Sequence, residues 1–411
     1  MKKFVCFIFI ILVLIFTYFF LSNENDVVQI LSDVDEEFNV DNYFIFGTHF
    51  SLSGCIDKNL SDKLQLVLKN KNKEIKVDSN FKHSDSKTCF YLSENNNEGI
   101  YLDDLEEGTY LLLVKSDNKY YTLKNNTEYG NLEYYTITRN NSNNKINISF
   151  NNYNKKSYIK FEIKREKLPR DVYDITLDPG HGGKDVGSSY KTYYESNLVL
   201  AISLLVKEEL EDIGLKVKMT RNTDTYLDPY GTGGRALIPN DVKSKYSLSI
   251  HLNSSIGKMN YGGVEIYVPN DVNYTFAQTL ADNISSVVGY SKKPTNKVSN
   301  GVYFNYFTLE DIKSSNEEIK TKGMIPYDIK VGSPYMYMIR EVGGISTNAY
   351  IDGRNEYYGL NDYYNSNSTA EPYLLELAYI NYNNDLEKLI NNKEQFSKAI
   401  SNAIKEYLDI S

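Results

Sequence analysis

Three successive patterns of apolar and polar positions divide the chain. The first is an unbroken apolar run, "FVCFIFIILVLIFTYFFL", at residues 4–21. Over residues 41–166, apolar and polar positions then alternate, as in "KLQLVLK". From residue 170 onward, strand-like segments alternate with segments of helical spacing. These patterns predict a membrane segment, an all-β region and an α/β region, in that order.

The apolar run has the length of a membrane-spanning helix. Its 18 residues would extend about 27 Å as a helix, close to the bilayer core of about 30 Å. Lys2 and Lys3 precede it and favour a cytoplasmic amino terminus. We therefore predict a transmembrane anchor at residues 1–21, a linker at 22–40 and an extracytoplasmic remainder. A cleaved signal peptide, giving a secreted protein, is the alternative, but this apolar run is longer than usual for one.

Residues 41–166 consist of short segments with a period of two, including "GTYLLLVKSDNKYYTL", "KINISF" and "YIKFEIKRE". Turn residues such as Asn, Gly and Ser separate them, and no helical pattern intervenes. This arrangement predicts a β-sandwich-like domain. His49 and His83 stand alone here and are interpreted as ordinary surface or packing histidines.

Residues 170–411 follow a break at Pro169 and predict an α/β domain. "YDITLD", "LKVKMT" and "YSLSIHL" have the pattern of strands, and a helix is expected from about Glu195 to a cap at Gly214. The segment "NDLEKLINNKEQFSKAISNAIKEYLDI" is expected to be helical. Alternation of strands and helices predicts a mostly parallel sheet with flanking helices. The apolar stripe of the first helix comprises Val199, Ile202, Val206, Leu210 and Ile213.

Composition narrows the range of partners. Hydrophobic residues make up 41% and charged residues 24%, which predicts a folded chain. The net charge is -9 and no basic run is present, which argues against nucleic acid. Cys6 lies in the apolar run, whereas Cys55 and Cys89 lie in the exported part, where a disulfide could persist. The sequence leaves their pairing open.

Two of the chain's 4 histidines follow predicted strands. His181 lies in "LDPGHGGKD", where neighbouring glycines allow a bulky ligand to approach, although an ordinary loop turn is the alternative. His251 ends "YSLSIHL" on the face opposite Leu248 and Ile250. A single histidine at such a place is more often a core group. Two histidines at strand ends of one sheet favour a zinc site.

Two glutamates are candidate partners of these histidines. Glu195 opens the first helix and can face the same edge of the sheet, although stabilisation of the helix dipole is an alternative role. Glu376 lies between Leu375 and Leu377 in "PYLLELAYI". If Glu376 is buried, its carboxylate costs free energy unless it is paired or has a chemical role. The alternative is that strand alternation turns Glu376 toward solvent while its neighbours face the core.

Six segments in order resemble the zinc-dependent N-acetylmuramoyl-L-alanine amidases of the Amidase_3 type. They are "LDPGHGGKDVG", "YYESNLVLAISLLVKEEL", "LKVKMTRNTD", "SLSIHLNSS", "GGVEIYVPN" and "PYLLELAYINYNND". The resemblance covers about residues 172–411. It implies an α/β fold with a central twisted sheet, and hydrolysis of the bond between muramic acid and the stem peptide of peptidoglycan. By position, His181, Glu195 and His251 resemble the ligands of one zinc ion, and Glu376 resembles the catalytic glutamate.

The implied chemistry is consistent with this residue set. Three protein ligands leave zinc an open position for water, whose pKa zinc lowers toward about 7. Glu376 is expected to move the water proton to the leaving nitrogen of L-alanine. Two alternatives stay open: a non-catalytic wall-binding scaffold on a degenerate amidase fold, and a zinc peptidase acting on the stem peptide.

Further candidates lie around this set. Arg221 and Asp224 are interpreted as a structural ion pair at a strand end, with a substrate contact as the alternative. Asn253 is a candidate substrate-binding residue. An insert at about residues 291–371 contains Arg340, whose planar fork could bind a stem-peptide carboxylate. An elaborated scaffold or regulatory flap is the alternative. The β-domain is expected to position the chain on the wall, to act as a spacer or to bind a protein activator.

Overall fold

The computed structural model describes residues 30–31, 34–60, 63–92, 99–117, 119–229, 233–257, 262–269, 274–321, 329–347, 349 and 368–410. The chain divides into two compact units. The first contains residues 1–43, 50–136 and 144–166, and the second contains residues 44–49, 137–143 and 167–411. Within the described ranges, no helix is both long and apolar enough to span a bilayer. The predicted anchor at residues 1–21 lies outside those ranges.

The first unit is formed by short strands, with a 3-10 turn at Leu102–Asp104. The strands are β1 (Val34–Phe46), β2 (His49–Ile56), β3 (Leu64–Lys69), β4 (Glu74–Val77), β5 (Asn80–His83), β6 (Thr88–Tyr91), β7 (Ile100–Tyr101), β8 (Gly108–Ser116), β9 (Lys119–Asn125), β10 (Leu132–Tyr135), β11 (Asn143–Tyr153) and β12 (Lys156–Glu166). Over the described residues between 41 and 166 the regular elements are short strands and one 3-10 turn, in agreement with the sequence prediction for this region.

These strands are joined in one hydrogen-bonded sheet, and the β-sandwich-like arrangement stays a prediction. The path runs β10-β11-β12-β8-β9-β1-β2-β6-β5, with β3 on β8, β4 on β3, and β7 on β2. Strand β8 is the branch point of this sheet, because it pairs with β3 along one edge and with β12 and then β9 along the other. Aromatic side chains fill the interior, including Phe50 and Phe161 with ring centroids 5.4 Å apart.

The two exported cysteines form a disulfide within this unit. Cys55 of β2 and Cys89 of β6 lie opposite each other in the antiparallel ladder and are bonded. The sequence had left this pairing open. A covalent link of this kind stabilises a fold mainly by restricting the unfolded chain.

The second unit is an α/β structure. Its strands are β13 (Ile175–Pro179), β14 (Ser189–Tyr190), β15 (Tyr193–Tyr194), β16 (Val217–Met219), β17 (Tyr246–Asn253), β18 (Glu265–Tyr267), β19 (Lys297–Ser299), β20 (Val302–Tyr303), β21 (Ser368–Thr369) and β22 (Glu371–Tyr379). Its helices are α1 (Glu195–Asp212), α2 (Ile238–Asp241), α3 (Thr275–Val288), α4 (Leu309–Thr321), α5 (Tyr337–Gly343), α6 (Asn383–Asn391) and α7 (Lys393–Leu408). A 3-10 turn at Gly344–Thr347 follows α5.

The central sheet of this unit has the order β16-β13-β17-β22-β18-β20-β19. Pairings β13–β16, β13–β17, β17–β22 and β18–β20 are parallel, whereas β18–β22 and β19–β20 are antiparallel. The expectation of a mostly parallel sheet in an α/β fold is therefore met. Because β13, β17 and β22 run in parallel, their carboxyl ends lie at one edge.

Helix α1 begins at Glu195 as predicted, and its apolar stripe faces β13 and β17. Val199, Ile202, Val206 and Leu210 are buried, and each such burial contributes about 1.5–3 kcal/mol. The predicted carboxyl-terminal helix is instead two helices, α6 and α7, which are separated at Asn392. Asn392 has φ of -126° and ψ of 34°, outside the helical region, which ends the first helix there.

Two short segments that precede residue 167 belong to the second unit. Ile45 and Phe46 pair with Ser368 and Thr369 of β21. Within residues 137–143, Ile137 is part of the same hydrophobic core as α1 and the central sheet. The amino-terminal half of the chain thus supplies part of this α/β unit.

Candidate metal centre

The loop after β13 presents His181 in an unusual backbone conformation. His181 has φ of +61°, in the left-handed region that few residues other than glycine adopt. Gly182 and Asp185 exchange two backbone hydrogen bonds, of 2.7 Å and 3.1 Å. This tight loop, together with the position of His181 after a parallel strand, holds the imidazole at the carboxyl edge of the sheet.

Two glycines leave space for the imidazoles. A Cβ atom on Gly180 would lie 2.3 Å from Cε1 of His251. A Cβ atom on Gly187, whose φ is +66°, would lie 2.6 Å from Cδ2 of His181 and 2.7 Å from Oε2 of Glu195. These positions require glycine because any side chain would occupy the site of a functional group.

The structure brings His181, Glu195 and His251 together from three elements. The Oε1 atom of Glu195, at the start of α1, lies 3.2 Å from Nε2 of His181 and 3.0 Å from Nδ1 of His251. One ligand atom from each residue lies within 4.8 Å of the others. The ring centroids of the two histidines are 4.9 Å apart. This geometry agrees with the prediction from the sequence that the three side chains face the same edge of the sheet.

Neighbouring groups fix the orientation of this trio. The side chain of Asp185 lies 2.9 Å from Nδ1 of His181 and accepts a hydrogen bond when that nitrogen carries the proton. Backbone N–H groups of Leu252 and Ser188 donate to the two Glu195 oxygens at 3.0 Å and 2.8 Å. Such contacts select the imidazole nitrogen that remains available to a metal.

Charge interactions at the trio are strong. Burial opposes ionisation of Glu195, but hydrogen bonds from His181 and His251 hold its pKa well below the usual range. Burial opposes protonation of His181, yet Glu195 and Asp185 raise its pKa above the usual value. An ionised Glu195 between two imidazoles places a negative charge at the centre of the trio, as a cation site requires.

The residue set fits a zinc ion. Two imidazoles and one carboxylate are ordinary zinc ligands, and three protein ligands are typical of a catalytic rather than a structural site. In addition, Nε2 of His251 and Oε2 of Glu376 are buried without a hydrogen-bond partner among the described residues. Unpaired buried polar atoms are costly, and a bound ion and its water would give such atoms a role.

Glu376 lies on β22 beside the trio. In the sheet it is the register partner of His251 on β17 and of Glu265 on β18. Burial, followed by the charges of Glu195 and Glu265, holds the pKa of Glu376 well above its usual range. A carboxyl group that takes up a proton readily suits a proton-transfer role.

The sequence analysis did not single out Glu265, which is fully buried in β18. One oxygen accepts hydrogen bonds from Ser291 at 2.7 Å and from Tyr379, and the other accepts from Tyr267 at 2.8 Å and Asn253 at 3.1 Å. Glu265 therefore links the ends of β17, β18 and β22. The signal was present in "GGVEIYVPN", where one carboxylate interrupts an apolar strand, as Glu376 does.

The sequence analysis also did not single out Asp178, although this residue lies in the same motif as His181. It is fully buried in β13 and accepts hydrogen bonds from Thr220 and Ser249, each at 2.7 Å. Nε of Arg235 lies 3.2 Å from its carboxylate. Asp178 thereby connects β13 with β17 and with the segment after β16, behind the loop that holds His181.

Arg221 and Asp224 support the same loop without forming a salt bridge with each other among the described residues. Arg221 is buried and donates to the carbonyl oxygens of Pro179, Gly180 and Ser196 at 2.8–2.9 Å. Asp224 accepts from the backbone N–H of Gly183 at 2.8 Å. Their expected structural role is consistent with these contacts, but the expected ion pair is replaced by backbone contacts.

The two candidate substrate-binding residues have protein partners. Arg340 is 2% exposed, and its guanidinium donates to Glu341 at 3.1 Å and to the carbonyl oxygen of Pro334 at 3.1 Å. This arrangement favours the alternative in which Arg340 belongs to an elaborated scaffold. The amide of Asn253 donates to Glu265, and its carbonyl oxygen accepts from the N–H of Ser254 at 2.8 Å. Both substrate roles stay predictions.

Part of the second unit is similar to a known protein family. Residues 175–317 match the family model described as N-acetylmuramoyl-L-alanine amidase, Amidase_3. Over these residues, the family resemblance is confirmed. The Amidase_3 segment contains His181, Glu195 and His251 and ends before Glu376.

A curated relative adds to this match. The Staphylococcus aureus protein named "Probable cell wall amidase LytH" is 37% identical over 119 residues. The alignment covers 28% of this chain and 38% of that relative, so the chain spans well under half of the relative's length.

Solved structures include the catalytic domain of CwlV, an N-acetylmuramoyl-L-alanine amidase from Bacillus (Paenibacillus) polymyxa var. colistinus. It is 21% identical with a TM-score of 0.40, over 58% of this chain and 100% of that chain. An N-acetylmuramoyl-L-alanine amidase from Clostridium difficile 630 is 21% identical with a TM-score of 0.39, over 58% of this chain and 98% of that chain.

Proposed function

We propose that this chain is a zinc-dependent N-acetylmuramoyl-L-alanine amidase that acts on peptidoglycan. The observation that carries the proposal is the convergence of His181, Glu195 and His251, with Glu376 beside His251 in the sheet. The match of residues 175–317 to the amidase family and the name of the staphylococcal relative support the substrate class.

His181, Glu195 and His251 would hold one zinc ion. When bound, zinc would supply Lewis acidity to a substrate carbonyl and acidify water at the site. Asp185 would keep the His181 ring oriented through Nδ1. Glu195, with backbone hydrogen bonds to both oxygens, would keep its carboxylate in place.

Glu376 would perform the proton transfers. It would accept a proton from the attacking water as the water oxygen bonds to the lactyl carbonyl carbon. The same carboxyl group would then donate a proton to the L-alanine nitrogen as the carbon–nitrogen bond breaks. The place of Glu376 in the sheet, where it is the register partner of His251, supports this role.

Mass spectrometry of peptidoglycan products tests the proposal. The full-length chain should release intact stem peptides with a free amino-terminal L-alanine, and a zinc chelator should abolish the release. Stem peptides cut internally would instead identify a peptidase. Retained binding to the wall without any product would favour a non-catalytic scaffold.

We also propose an extracytoplasmic location in which residues 4–21 anchor the chain to the membrane. On this proposal, residues 41–166 form a domain that positions the chain on the wall or binds a protein activator.

A further inference from the structure

A pocket lies at the amino-terminal edge of the central sheet, whereas the candidate metal centre lies at its carboxyl-terminal edge. Its volume is about 740 Å³, and all of its lining residues belong to the second unit. Lys216 lies immediately before β16, and its backbone carbonyl accepts from the N–H of Asp174, immediately before β13. The pocket is therefore at the amino ends of these strands, whereas His181 and His251 lie at the carboxyl ends. We call it the basic pocket; its polar lining residues are Thr138, Asn141, Asn143, Lys167, Arg170 and Lys216.

The charge of the basic pocket differs from that of the chain as a whole. The chain has a net charge of -9, yet Lys167, Arg170 and Lys216 line the pocket and no acidic side chain does. Asp174 and Asp171 lie outside the lining but act on the charge of Lys216. Both oxygens of Asp174 are occupied by the N–H groups of Thr138 and Lys216, at 3.0 Å and 2.7 Å. A concentration of cations without acidic neighbours in the lining favours an anionic ligand.

Two hydrogen-bond donors in the basic pocket have no hydrogen-bond partner among the described residues. Asn143 is only 5% exposed, and its Nδ2 atom is buried without a hydrogen bond. The Thr138 hydroxyl is also buried without a partner. Native proteins leave few such groups unpaired, so each calls for an explanation. An acceptor oxygen of a ligand would satisfy both groups.

The walls of the basic pocket are held in place by the protein itself. The ammonium group of Lys216 donates to the carbonyl oxygen of Pro169 at 2.7 Å and lies 4.4 Å from the centre of the Tyr173 ring. Burial lowers the pKa of Lys216, so a bound anion would offset part of the cost of keeping its charge. The segments on either side of the pocket are thus fixed before a ligand arrives.

We propose that the basic pocket binds a phosphate group carried by a small polar ligand. The pocket has the size of ordinary small-molecule sites, about 300–1,000 Å³, and exceeds what a bare ion would fill. Its amide, hydroxyl, ammonium and guanidinium groups are all donors, and a phosphate offers more acceptor positions to them than a carboxylate does. This site is independent of the proposed amidase reaction.

Calorimetric titration of the full-length chain with inorganic phosphate tests the proposal, and titration with acetate at equal ionic strength tests the preference. We expect saturable binding of one phosphate, with acetate at least about tenfold weaker. Asn143→Leu and Arg170→Ala should each weaken phosphate binding about tenfold, whereas Lys398→Ala, which removes one exposed cation elsewhere, should change it less than about twofold.

Thermal unfolding without phosphate provides a second readout for Asn143→Leu. The variant should be at least as stable as the wild type because it removes an unpaired buried amide. Phosphate should then raise the melting temperature of the wild type more than that of the variant. Equal phosphate binding by wild type and both variants, or binding that a metal chelator abolishes, would overturn the proposal. Acetate binding equal to that of phosphate would overturn the preference for phosphate.

Discussion

At the residue scale, short contacts rather than residue types explain why this cluster fits a metal. Histidine and glutamate are common, but here glycines at 180 and 187 let the rings and the carboxylate approach each other. Asp185 and Asp224 lie in or beside the same loop and have different partners. Both accept a backbone hydrogen bond, Asp185 from Gly187 and Asp224 from Gly183, but of the two only Asp185 also contacts the imidazole of His181 among the contacts described. This difference provides a matched test of ring orientation.

We predict that Asp185→Ala weakens zinc binding about 10- to 100-fold, the usual effect of losing a group that orients a ligand. Asp224→Ala removes the same charge close by but leaves the imidazole contact, so its effect should be less than about threefold. Zinc affinity measured by competition with a chelator distinguishes the two variants. Equal losses in both would attribute the effect to charge and contradict the orienting role.

His49 provides a pH test separate from the metal centre. Burial lowers its pKa from 6.5 to about 4, so the unfolded chain binds a proton between these values while the folded chain does not. The contribution of His49 to the free energy of unfolding should therefore be fully present above about pH 6.5. It should decline as the pH falls to about 4, by at most about 3 kcal/mol. His49→Gln should flatten the urea-unfolding profile over this range, and His83→Gln, at an exposed position, should not. Parallel profiles for all three proteins would contradict this assignment.

At the element scale, buried carboxylates hold strand ends in register around the candidate centre. Asp178 links β13 to its neighbours, and Glu265 links β17, β18 and β22. The amphipathic spacing of α1 and the alternation in β17 were sufficient to predict those elements. The sequence did not predict these links because a hydrogen-bond partner in another strand is set by register, which a single-strand pattern does not contain.

We predict that Glu265→Leu lowers the free energy of unfolding by at least about 3 kcal/mol, because several buried donors lose their acceptor at about 1–3 kcal/mol each. Glu265→Gln should cost less, since the hydroxyls of Tyr379 and Ser291 can turn and accept hydrogen bonds from the amide. Urea unfolding measures both variants. If the two substitutions cost the same, the hydrogen-bond role of Glu265 is wrong.

At the scale of the whole molecule, the two units do not follow a single cut in the sequence. The change of pattern near Pro169 predicted the beginning of the α/β region, and the main continuous segment of the second unit begins at residue 167. Residues 44–49 and 137–143, however, belong to the second unit. Pattern analysis assigned both segments to the β-region because their local periodicity resembles that of the strands around them, and their contacts are distant in sequence.

A fragment beginning at residue 167 should therefore be less stable than one beginning at residue 41. It would lack the strand segment that pairs with β21, and the Thr138 N–H that donates to the buried Asp174 carboxylate at 3.0 Å. Losing a partner of a buried charged group costs about 1–3 kcal/mol or more. Thermal unfolding of both fragments measures the difference, and identical melting temperatures would show that these segments contribute nothing.

The central claim is that Glu376 moves protons at a metal site formed by His181, Glu195 and His251. The most direct test measures bound zinc and peptidoglycan turnover in the same preparations of wild type and Glu376→Gln. We predict that the variant retains one zinc per chain and loses at least about 100-fold in turnover, the size expected for a general acid–base. Unchanged turnover with zinc retained would contradict the proton-transfer role, and loss of zinc would instead place Glu376 among the metal ligands.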